Sequence, residues 1–261
     1  MLLAFSKYQG TGNDFIIIDN RKGQIQLSKE VIEHLCHRRF GIGADGLMLL
    51  NTAQGYDFEM KYYNADGAEG SMCGNGGRCL TQFAFDAGIQ KDHFLFIASD
   101  GPHEAHFGKN KWVHLKMKDV DTIEAYNNDL ILNTGSPHYI QKVNNLTALN
   151  VPEVGRSIRY SNDFKEKGIN VNFVEPNNGS IRVRTYERGV EDETYSCGTG
   201  VTAAALVFAQ NKNGFNRIEI ETMGGNLAVE FNCKGEQHFD NIWLCGPATF
   251  VFKGEIEVET K

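Results

Sequence analysis

Two cysteines lie at the start of two similar segments in which glycine occupies every second position. The segments are Cys73-Gly74-Asn75-Gly76 and Cys197-Gly198-Thr199-Gly200. A stretch with helical spacing follows each segment, so each cysteine is predicted to lie at the N-terminus of a helix. Glycines leave the first backbone N–H groups of a helix uncovered, and such groups bind anions. The pattern therefore predicts two thiols, each beside N–H donors for a negative charge.

Two thiols in one site favour proton transfer at both faces of a carbon atom. Two thiolates would repel each other, so one thiolate and one thiol form the natural resting pair. The thiolate can remove a proton from one face while the thiol delivers a proton to the other. Helix N–H groups can stabilise the negative charge that develops in between. The pair is typical of a racemase or epimerase that needs no cofactor. The alternative, a phosphate-binding loop, is disfavoured because no Lys-Ser/Thr follows the glycines.

The remaining cysteines are interpreted as packing residues of a reduced protein; they are Cys36, Cys79, Cys233 and Cys245. A cluster that resembles a metal site, His34-Leu35-Cys36-His37, lies in an amphipathic stretch that begins at Ser28. We interpret this stretch as a helix with its apolar residues and Cys36 facing inward. We therefore expect no metal site.

The composition is that of an ordinary globular protein. The chain has 261 residues, which is enough for two lobes with separate cores. Because it has no apolar run of about 20 residues and no signal-like start, we expect a cytoplasmic protein with no membrane partner. The net charge of −7, without a basic patch, disfavours nucleic acid as a partner. A small molecule is the expected partner, and a homodimer is compatible with the sequence.

The hydrophobic pattern predicts an α+β fold with many short strands and few helices. Strands are predicted over residues 93–99, 111–117, 181–187, 217–223, 226–232 and 242–252, with a last strand from Glu255 to Thr260. The clearest helices begin after Ser28, Cys73 and Cys197, the latter two covering residues 75–87 and 199–210. These two helices are apolar around much of their circumference, so each is expected to form the core of a lobe.

The two halves of the chain are similar in sequence. Aligning Cys73 with Cys197 also aligns several other residues: Tyr62 with Tyr186, Gly74 with Gly198, Gly76 with Gly200, Gly101 with Gly225, and Phe107 with Phe231. Such a repeat predicts two pseudo-symmetric lobes. We place the N-terminal lobe at residues 1–118 and the C-terminal lobe at residues 119–249. The C-terminal strand, at about residues 250–261, is expected to return and complete the N-terminal lobe.

Motifs over nearly the whole chain resemble the diaminopimelate epimerase family. They are KYQGTGNDF at 7–15, RRFGIGADG at 38–46, YYNADGAEGSMCGNGGRC at 62–79, TGSPH at 134–138, GINVNF at 168–173 and TYERGVEDETYSCGTGVTA at 185–203. The resemblance implies two lobes, each a curved mixed sheet around a central helix, with the active site in the cleft between them. The implied reaction interconverts LL- and meso-2,6-diaminoheptanedioate, in lysine and peptidoglycan precursor biosynthesis, without a cofactor.

The resemblance also implies roles for individual residues. Cys73 and Cys197 correspond to the acid and base, and His138 and Glu187 to polar neighbours of the thiols. The remaining matches are substrate-binding residues: Asn13, Asn64, Gly74, Asn75, Asn170, Glu187, Arg188, Gly198 and Thr199. A bidentate arginine suits the distant carboxylate of the substrate, and amide oxygens suit its ammonium. Two positions depart from the family, because Ser136 replaces a frequent Asn and Gly46 replaces a Gln found in some members.

Three other functions remain as alternatives. A proline or hydroxyproline racemase would also use two cysteines, but Asn64, Asn170 and Arg188 would then have no second amino-acid terminus to bind. An isomerase of the phenazine-biosynthesis type would lack the cysteine pair. A protein that binds an amino acid without catalysis is the third alternative. Deuterium incorporation at the α-carbon would distinguish these functions.

Overall fold

The chain forms two compact units. The structure is a computed structural model that describes residues 1–210, 213–235 and 237–258. The N-terminal unit comprises Met1–Leu115 together with Pro247–Lys261, and the C-terminal unit comprises Lys116–Gly246. The boundaries expected from the sequence lie at residues 118 and 249. The N-terminal unit is therefore discontinuous in sequence, whereas the C-terminal unit is continuous.

The N-terminal unit begins with seven strands and two helices. In chain order they are β1 (Leu2–Gly10), β2 (Asn13–Asp19), α1 (Lys29–Cys36), β3 (Gly46–Asn51), β4 (Phe58–Asn64), α2 (Gly74–Asp86), β5 (His93–Ala98), β6 (Gly101–Phe107) and β7 (Val113–Lys116). Strands β2 and β3 are parallel, as are β4 and β5, and the other sequential pairs are antiparallel. Helix α2 packs against β1 to β4.

The C-terminal unit has nine strands and two helices among its described residues. They are β8 (Ile123–Tyr126), β9 (Asp129–Asn133), β10 (Pro137–Lys142), α3 (Val151–Arg159), β11 (Asn170–Asn177), β12 (Ser180–Glu187), β13 (Asp192–Thr194), α4 (Gly198–Val207), β14 (Asn213–Thr222), β15 (Gly225–Lys234) and β16 (Phe239–Gly246). Strands β10 and β11 are parallel, as are β12 and β14. Helix α4 packs against β9 to β12 and β14 to β16.

The two units repeat one topology. In each, an antiparallel pair (β1–β2 and β9–β10) is followed by a helix and a parallel strand. An antiparallel strand, a second helix and another parallel pairing come next in both units. The predicted α+β class and the predicted repeat are therefore confirmed. Helices α2 and α4 are the equivalent buried helices, as their apolar circumference predicts.

The last described strand belongs to the N-terminal unit. β17 (Thr249–Glu257) pairs antiparallel with β1, and Leu2 lies opposite Glu257. The predicted single strand over 242–252 is wrong, because β16 ends at Gly246 and β17 begins at Thr249. Pro247 lies in the gap, where its missing N–H group cannot continue a ladder. Thr260, the predicted end of the last strand, lies outside the described residues.

Side-chain caps explain where two of the helices begin. Ser28 caps α1, accepting a hydrogen bond from the Val31 backbone N–H. Asn150 caps α3, where Pro152 lies in the first turn. α3 was not predicted from the sequence, although this cap and proline are a recognisable start signal. None of the helices in the described ranges is long and apolar enough to cross a membrane.

Candidate active site

Cys73 is the N-cap residue of α2. Its backbone is extended, with φ −95° and ψ 129°, and its carbonyl accepts the first helical hydrogen bond from the Gly77 N–H at 2.7 Å. The N–H groups of Gly74, Asn75 and Gly76 precede that bond and have no acceptor within the helix. The predicted helix over 75–87 is observed at Gly74–Asp86. The thiol thus lies at the positive end of a buried helix.

Asn13 is a polar partner of the Cys73 thiol. Its Oδ1 accepts hydrogen bonds from Cys73 Sγ at 3.6 Å and from Asn75 Nδ2 at 3.3 Å. Its Nδ2 donates to Asp45 Oδ2 at 2.7 Å. Because a carboxylate can only accept, Asp45 determines which end of the Asn13 amide faces the thiol.

A network of charged residues supports Asp45. Arg38 donates to Asp14 at 2.7 Å and to Asp45 at 2.6 Å, and Lys7 pairs with Asp14 at 2.8 Å. Burial raises the pKa of Asp14, but the hydrogen bonds from Arg38 and Lys7 outweigh it and lower the pKa to about 2. Asp14 is therefore ionised at neutral pH. These residues lie within the motifs at 7–15 and 38–46, but no role for them was predicted from the sequence.

Arg78 places a buried positive charge in α2. The side chain is fully buried and donates to Asn75 Oδ1 at 3.1 Å and to Thr11 Oγ1 at 3.3 Å. A guanidinium stays charged in proteins, so it favours an anion near the first turn of α2. Thr11 itself has a positive φ of 51° in the β1–β2 turn. Arg78 was not predicted as a site residue, although a positive charge near the start of a largely apolar helix was a signal.

Asn64 ends β4 at the same end of the sheet as Asn13. Phe15 of β2 lies opposite Gly46 of β3, which lies opposite Asn64. Asn64 is exposed. A Cβ atom at Gly46 would lie 2.6 Å from the ring of Tyr62, so only glycine fits there. At position 46, the ring of Tyr62 therefore occupies the space that a side chain would need.

Cys197 is the equivalent N-cap residue of α4. Its φ is −116° and its ψ is 114°, and its carbonyl accepts from the Val201 N–H at 2.9 Å. Its Sγ lies 3.6 Å from Thr199 Oγ1. The predicted helix over 199–210 is observed at Gly198–Val207. The N–H groups of Gly198, Thr199 and Gly200 occupy the uncovered first turn.

The sheet brings the other predicted residues of the C-terminal unit to the start of α4. His138 of β10 lies opposite Asn170 of β11. β12 runs antiparallel to β11, so Glu187 and the following Arg188 lie at the same sheet end. In addition, Thr134 Oγ1 donates to the Thr199 carbonyl at 2.9 Å. This unit therefore gathers all of its predicted site residues at one end.

Asn170 holds Ser136 and Arg188 together. Its Nδ2 donates to Ser136 Oγ at 3.0 Å and to the Pro137 carbonyl at 3.1 Å. Its Oδ1 accepts from the Arg188 backbone N–H at 2.9 Å. Arg188 also donates from its guanidinium to Ser136 Oγ at 3.2 Å. Ser136, the second departure from the family, is thus an acceptor within this cluster.

Glu187 and His138 differ in their surroundings. Glu187 is half-buried, and its Oε2 accepts from Thr194 Oγ1 at 2.8 Å. His138 is fully buried. Burial, helped by the nearby positive charge of Arg188, lowers the pKa of His138 to about 3. The imidazole is therefore neutral throughout the physiological pH range.

The other cysteines lie in the core. Burial raises the pKa of both Cys36 and Cys79 to about 12, so these groups remain neutral thiols. Cys233 and Cys245 are also buried. In the cluster at 34–37, Cys36 is buried in α1 whereas His34 and His37 are exposed.

Comparison with known proteins gives one consistent family. A family model described as diaminopimelate epimerase matches residues 5–122 and 130–251. The chain is 50% identical over 254 residues to the diaminopimelate epimerase of Flavobacterium psychrophilum, covering 96% of this chain and 98% of that protein. It is 44% identical over 260 residues to the diaminopimelate epimerase of Chlorobaculum tepidum, covering 95% and 98%.

Solved structures share the fold at low sequence identity. A phenazine biosynthesis protein of the PhzF family from Bacillus anthracis has a TM-score of 0.78 and 14% identity, covering 99% of this chain and 100% of that chain. A hydroxyproline epimerase from Agrobacterium vitis has a TM-score of 0.67 and 13% identity, covering 98% and 91%. These structures confirm the predicted fold class.

Proposed function

The chain belongs to the diaminopimelate epimerase family, and we therefore propose that it interconverts LL- and meso-2,6-diaminoheptanedioate. One observation carries the proposal. Cys73 and Cys197 are the N-cap residues of equivalent buried helices in two units of the same topology. Packing alone gives no reason for a thiol and matched glycines at both positions. A reaction that needs an acid and a base of the same kind explains why both positions carry a thiol and matched glycines.

The two thiols supply one base and one acid. A thiolate accepts the α-proton as the C–H bond breaks, and the electron pair delocalises into the α-carboxylate. The thiol of the other cysteine donates its proton to the opposite face of the α-carbon and becomes the thiolate. The reverse reaction exchanges the two roles. One proton is taken and one is given, so no oxidant or reductant is needed.

The first turns of α2 and α4 stabilise the charge that develops on the α-carboxylate. The backbone N–H groups of Gly74, Asn75, Gly198 and Thr199 are the donors. Donors that are fixed before the reaction need no reorganisation as the charge forms. Cys73 and Cys197 lie next to these donors in sequence, so the same groups favour their thiolates.

The substrate's second amino-acid terminus is bound by Asn13, Asn64, Asn170 and Arg188. The guanidinium of Arg188 suits the distant carboxylate, and the exposed Asn64 amide suits the ammonium. Asn170 contributes by orienting Arg188 and Ser136, because its amide already bonds both. Asn13 contributes beside Cys73, to which it presents Oδ1.

Glu187 and His138 assist the thiols. Glu187 offers a carboxylate that can accept a hydrogen bond from a thiol or from the α-ammonium. His138 is neutral, so it supports a thiolate through hydrogen bonding and not through charge. Neither residue needs to change its protonation state during the reaction.

Deuterium incorporation tests the reaction. We expect the protein in D₂O to incorporate deuterium at the α-carbon of 2,6-diaminoheptanedioate and none at that of proline. Circular dichroism of the substrate, or chiral chromatography, should show LL and meso forms approaching equilibrium. Incorporation into proline alone would replace the proposal with the proline or hydroxyproline racemase alternative. No incorporation into either, with binding retained, would indicate a binding protein.

Serine variants test the thiol pair in the same assay. Cys73→Ser and Cys197→Ser should each lower epimerisation by at least about 100-fold, since a serine hydroxyl is a far weaker acid than a thiol. Both variants should still bind the substrate. Cys233→Ser is the matched control, because its buried Sγ donates to the Gly235 carbonyl at 3.3 Å and a hydroxyl can do the same. Full turnover by either active-site variant would exclude the two-base scheme.

The cellular role follows from the reaction. We propose that the product serves lysine and peptidoglycan precursor biosynthesis in the cytoplasm. We also propose a homodimer. It is supported by two apolar residues on one face of β17 that remain about half exposed, Phe250 and Phe252, because exposed apolar surface favours association.

A further inference from the structure

Asn172 is a buried polar residue with no role in the proposed mechanism. It lies on β11, directly opposite Thr185 of β12, and is fully buried. Its Nδ2 donates to the Tyr139 carbonyl at 3.1 Å and contacts His138 Nδ1 at 3.1 Å. Its Oδ1 accepts from Thr185 Oγ1 at 2.9 Å. The amide therefore uses both of its ends within the sheet.

These contacts determine which nitrogen of the His138 ring carries the proton. A backbone carbonyl can only accept, so the nitrogen end of the Asn172 amide must face Tyr139. The same nitrogen faces His138 Nδ1, so Nδ1 must be the acceptor. The ring is neutral, because its pKa is lowered to about 3. Its single N–H proton must therefore be on Nε2.

We propose that Asn172 is a positioning residue that holds His138 as the Nε2–H tautomer, so that the ring offers a hydrogen bond to an anion. Nε2 is buried and has no hydrogen-bond partner among the described residues. A buried donor without an acceptor costs free energy, and a hydrogen bond to an anion is the strongest that such a donor can form. An N–H donor cannot accept from the α-ammonium, so the partner is the substrate carboxylate or a thiolate. The identity of this anion rests on the proposed function.

Asn172 also contacts the start of the helix that carries Cys197. A Cβ atom at Gly200 would lie 2.3 Å from Asn172 Oδ1, so the amide packs directly against the first turn of α4. Thr185 and the Tyr139 carbonyl leave the amide no freedom to rotate. The ring of His138 and the first turn of α4 are therefore held by one side chain.

Nitrogen NMR of the histidine rings tests the tautomer without any substrate. In ¹⁵N-histidine-labelled protein, the His138 signals, assigned with the His138→Gln variant, should show a protonated Nε2 and an unprotonated Nδ1. Asn172→Asp replaces the donor with an acceptor, so the proton should appear on Nδ1. Thr185→Val is the control, because the Tyr139 carbonyl still orients the amide, and its ring should keep the Nε2 proton. A protonated Nδ1 in the unaltered protein would overturn the proposal.

Kinetics then relate the tautomer to the reaction. We expect Asn172→Asp to lower kcat about 10- to 100-fold, as is usual when a residue that orients a catalytic group is lost. The KM should change less than kcat. Unchanged kcat in a variant whose tautomer has switched would refute a role in the reaction. If the tautomer is as expected but the unaltered protein does not epimerise, the proposed function fails while the assignment of the ring proton stands.

Discussion

In each unit, an amide beside a predicted site residue is oriented by an acceptor that cannot donate. Asp45 orients Asn13 through a bond of 2.7 Å, and the Tyr139 carbonyl orients Asn172 through a bond of 3.1 Å. In the N-terminal unit, the oriented amide offers oxygen to Cys73. In the C-terminal unit, it offers nitrogen to His138. The two units therefore orient an amide in the same way but present opposite ends of it, an acceptor oxygen in one unit and a donor nitrogen in the other.

The Asp14 network gives a prediction for stability as a function of pH. The pKa of Asp14 is lowered to about 2 in the folded protein, against about 3.9 for an unfolded aspartate. Its contribution is therefore complete above about pH 5 and is lost as the pH falls towards 2. Asp14→Asn should lower the free energy of unfolding by about 2 kcal/mol at pH 7.

Urea unfolding at several pH values measures this effect. The difference between Asp14→Asn and the unaltered protein should shrink as the pH falls below about 4. Glu124→Gln, at an exposed position of β8, serves as the control and should change stability little. A difference that stays constant from pH 7 to pH 3 would show that the charge of Asp14 is not the cause.

At the scale of the elements, α2 and α4 have glycine at equivalent positions with different neighbours. A Cβ atom at Gly76 would first meet Met48 Sδ at 3.2 Å, whereas one at Gly200 would meet Asn172 Oδ1 at 2.3 Å. A methionine side chain can move aside, but the Asn172 amide is held by three hydrogen bonds. The same substitution should therefore have different effects in the two helices.

Alanine at each of these positions tests the difference. Alanine gains about 1 kcal/mol over glycine in a helix, which should leave Gly76→Ala close to neutral. Gly200→Ala should lose about 1–3 kcal/mol through overpacking and should also disturb the His138 ring. Urea midpoints of the two variants give the comparison. Equal stability would contradict the close approach between α4 and Asn172.

At the scale of the whole molecule, the N-terminal unit needs both ends of the chain. The Met1 amino group donates to the Val258 carbonyl at 2.7 Å, and the Val258 N–H donates to the Met1 carbonyl at 2.9 Å. β17 also packs Ile256 against the core cluster that contains Leu3 and Phe5, and Phe252 packs edge-to-face on Phe5 with ring centroids 5.8 Å apart. Residues 1–115 alone would leave this part of the core exposed.

A permuted fragment tests that dependence. Residues 247–258, joined through a short glycine linker to residues 1–115, should fold with cooperative urea unfolding, because residues 258 and 1 are adjacent. Residues 1–115 without the added strand should lack cooperative unfolding and near-ultraviolet circular dichroism. Equal folding of both fragments would show that β17 is dispensable for this unit.

The sequence by itself determined the features that depend on neighbouring residues and on periodicity. The Cys-Gly-x-Gly segments followed by apolar helical stretches identified α2 and α4 and placed both thiols at their starts. The alignment of the two halves identified the repeat, and the motifs identified the family. Each of these signals is local or repeats at a fixed spacing, so no knowledge of long-range contacts was required.

Only the tertiary structure decided which polar groups meet. Asn172 and His138 are 34 residues apart, and Asn13 and Asp45 are 32 apart. Their pairing depends on the parallel strands that bring them side by side, and strand register cannot be read from either segment alone. Buried polar groups must find partners wherever the fold provides them. That is why Arg78, Asp45 and Asn172 emerged from the structure, whereas the cysteines were apparent from the sequence.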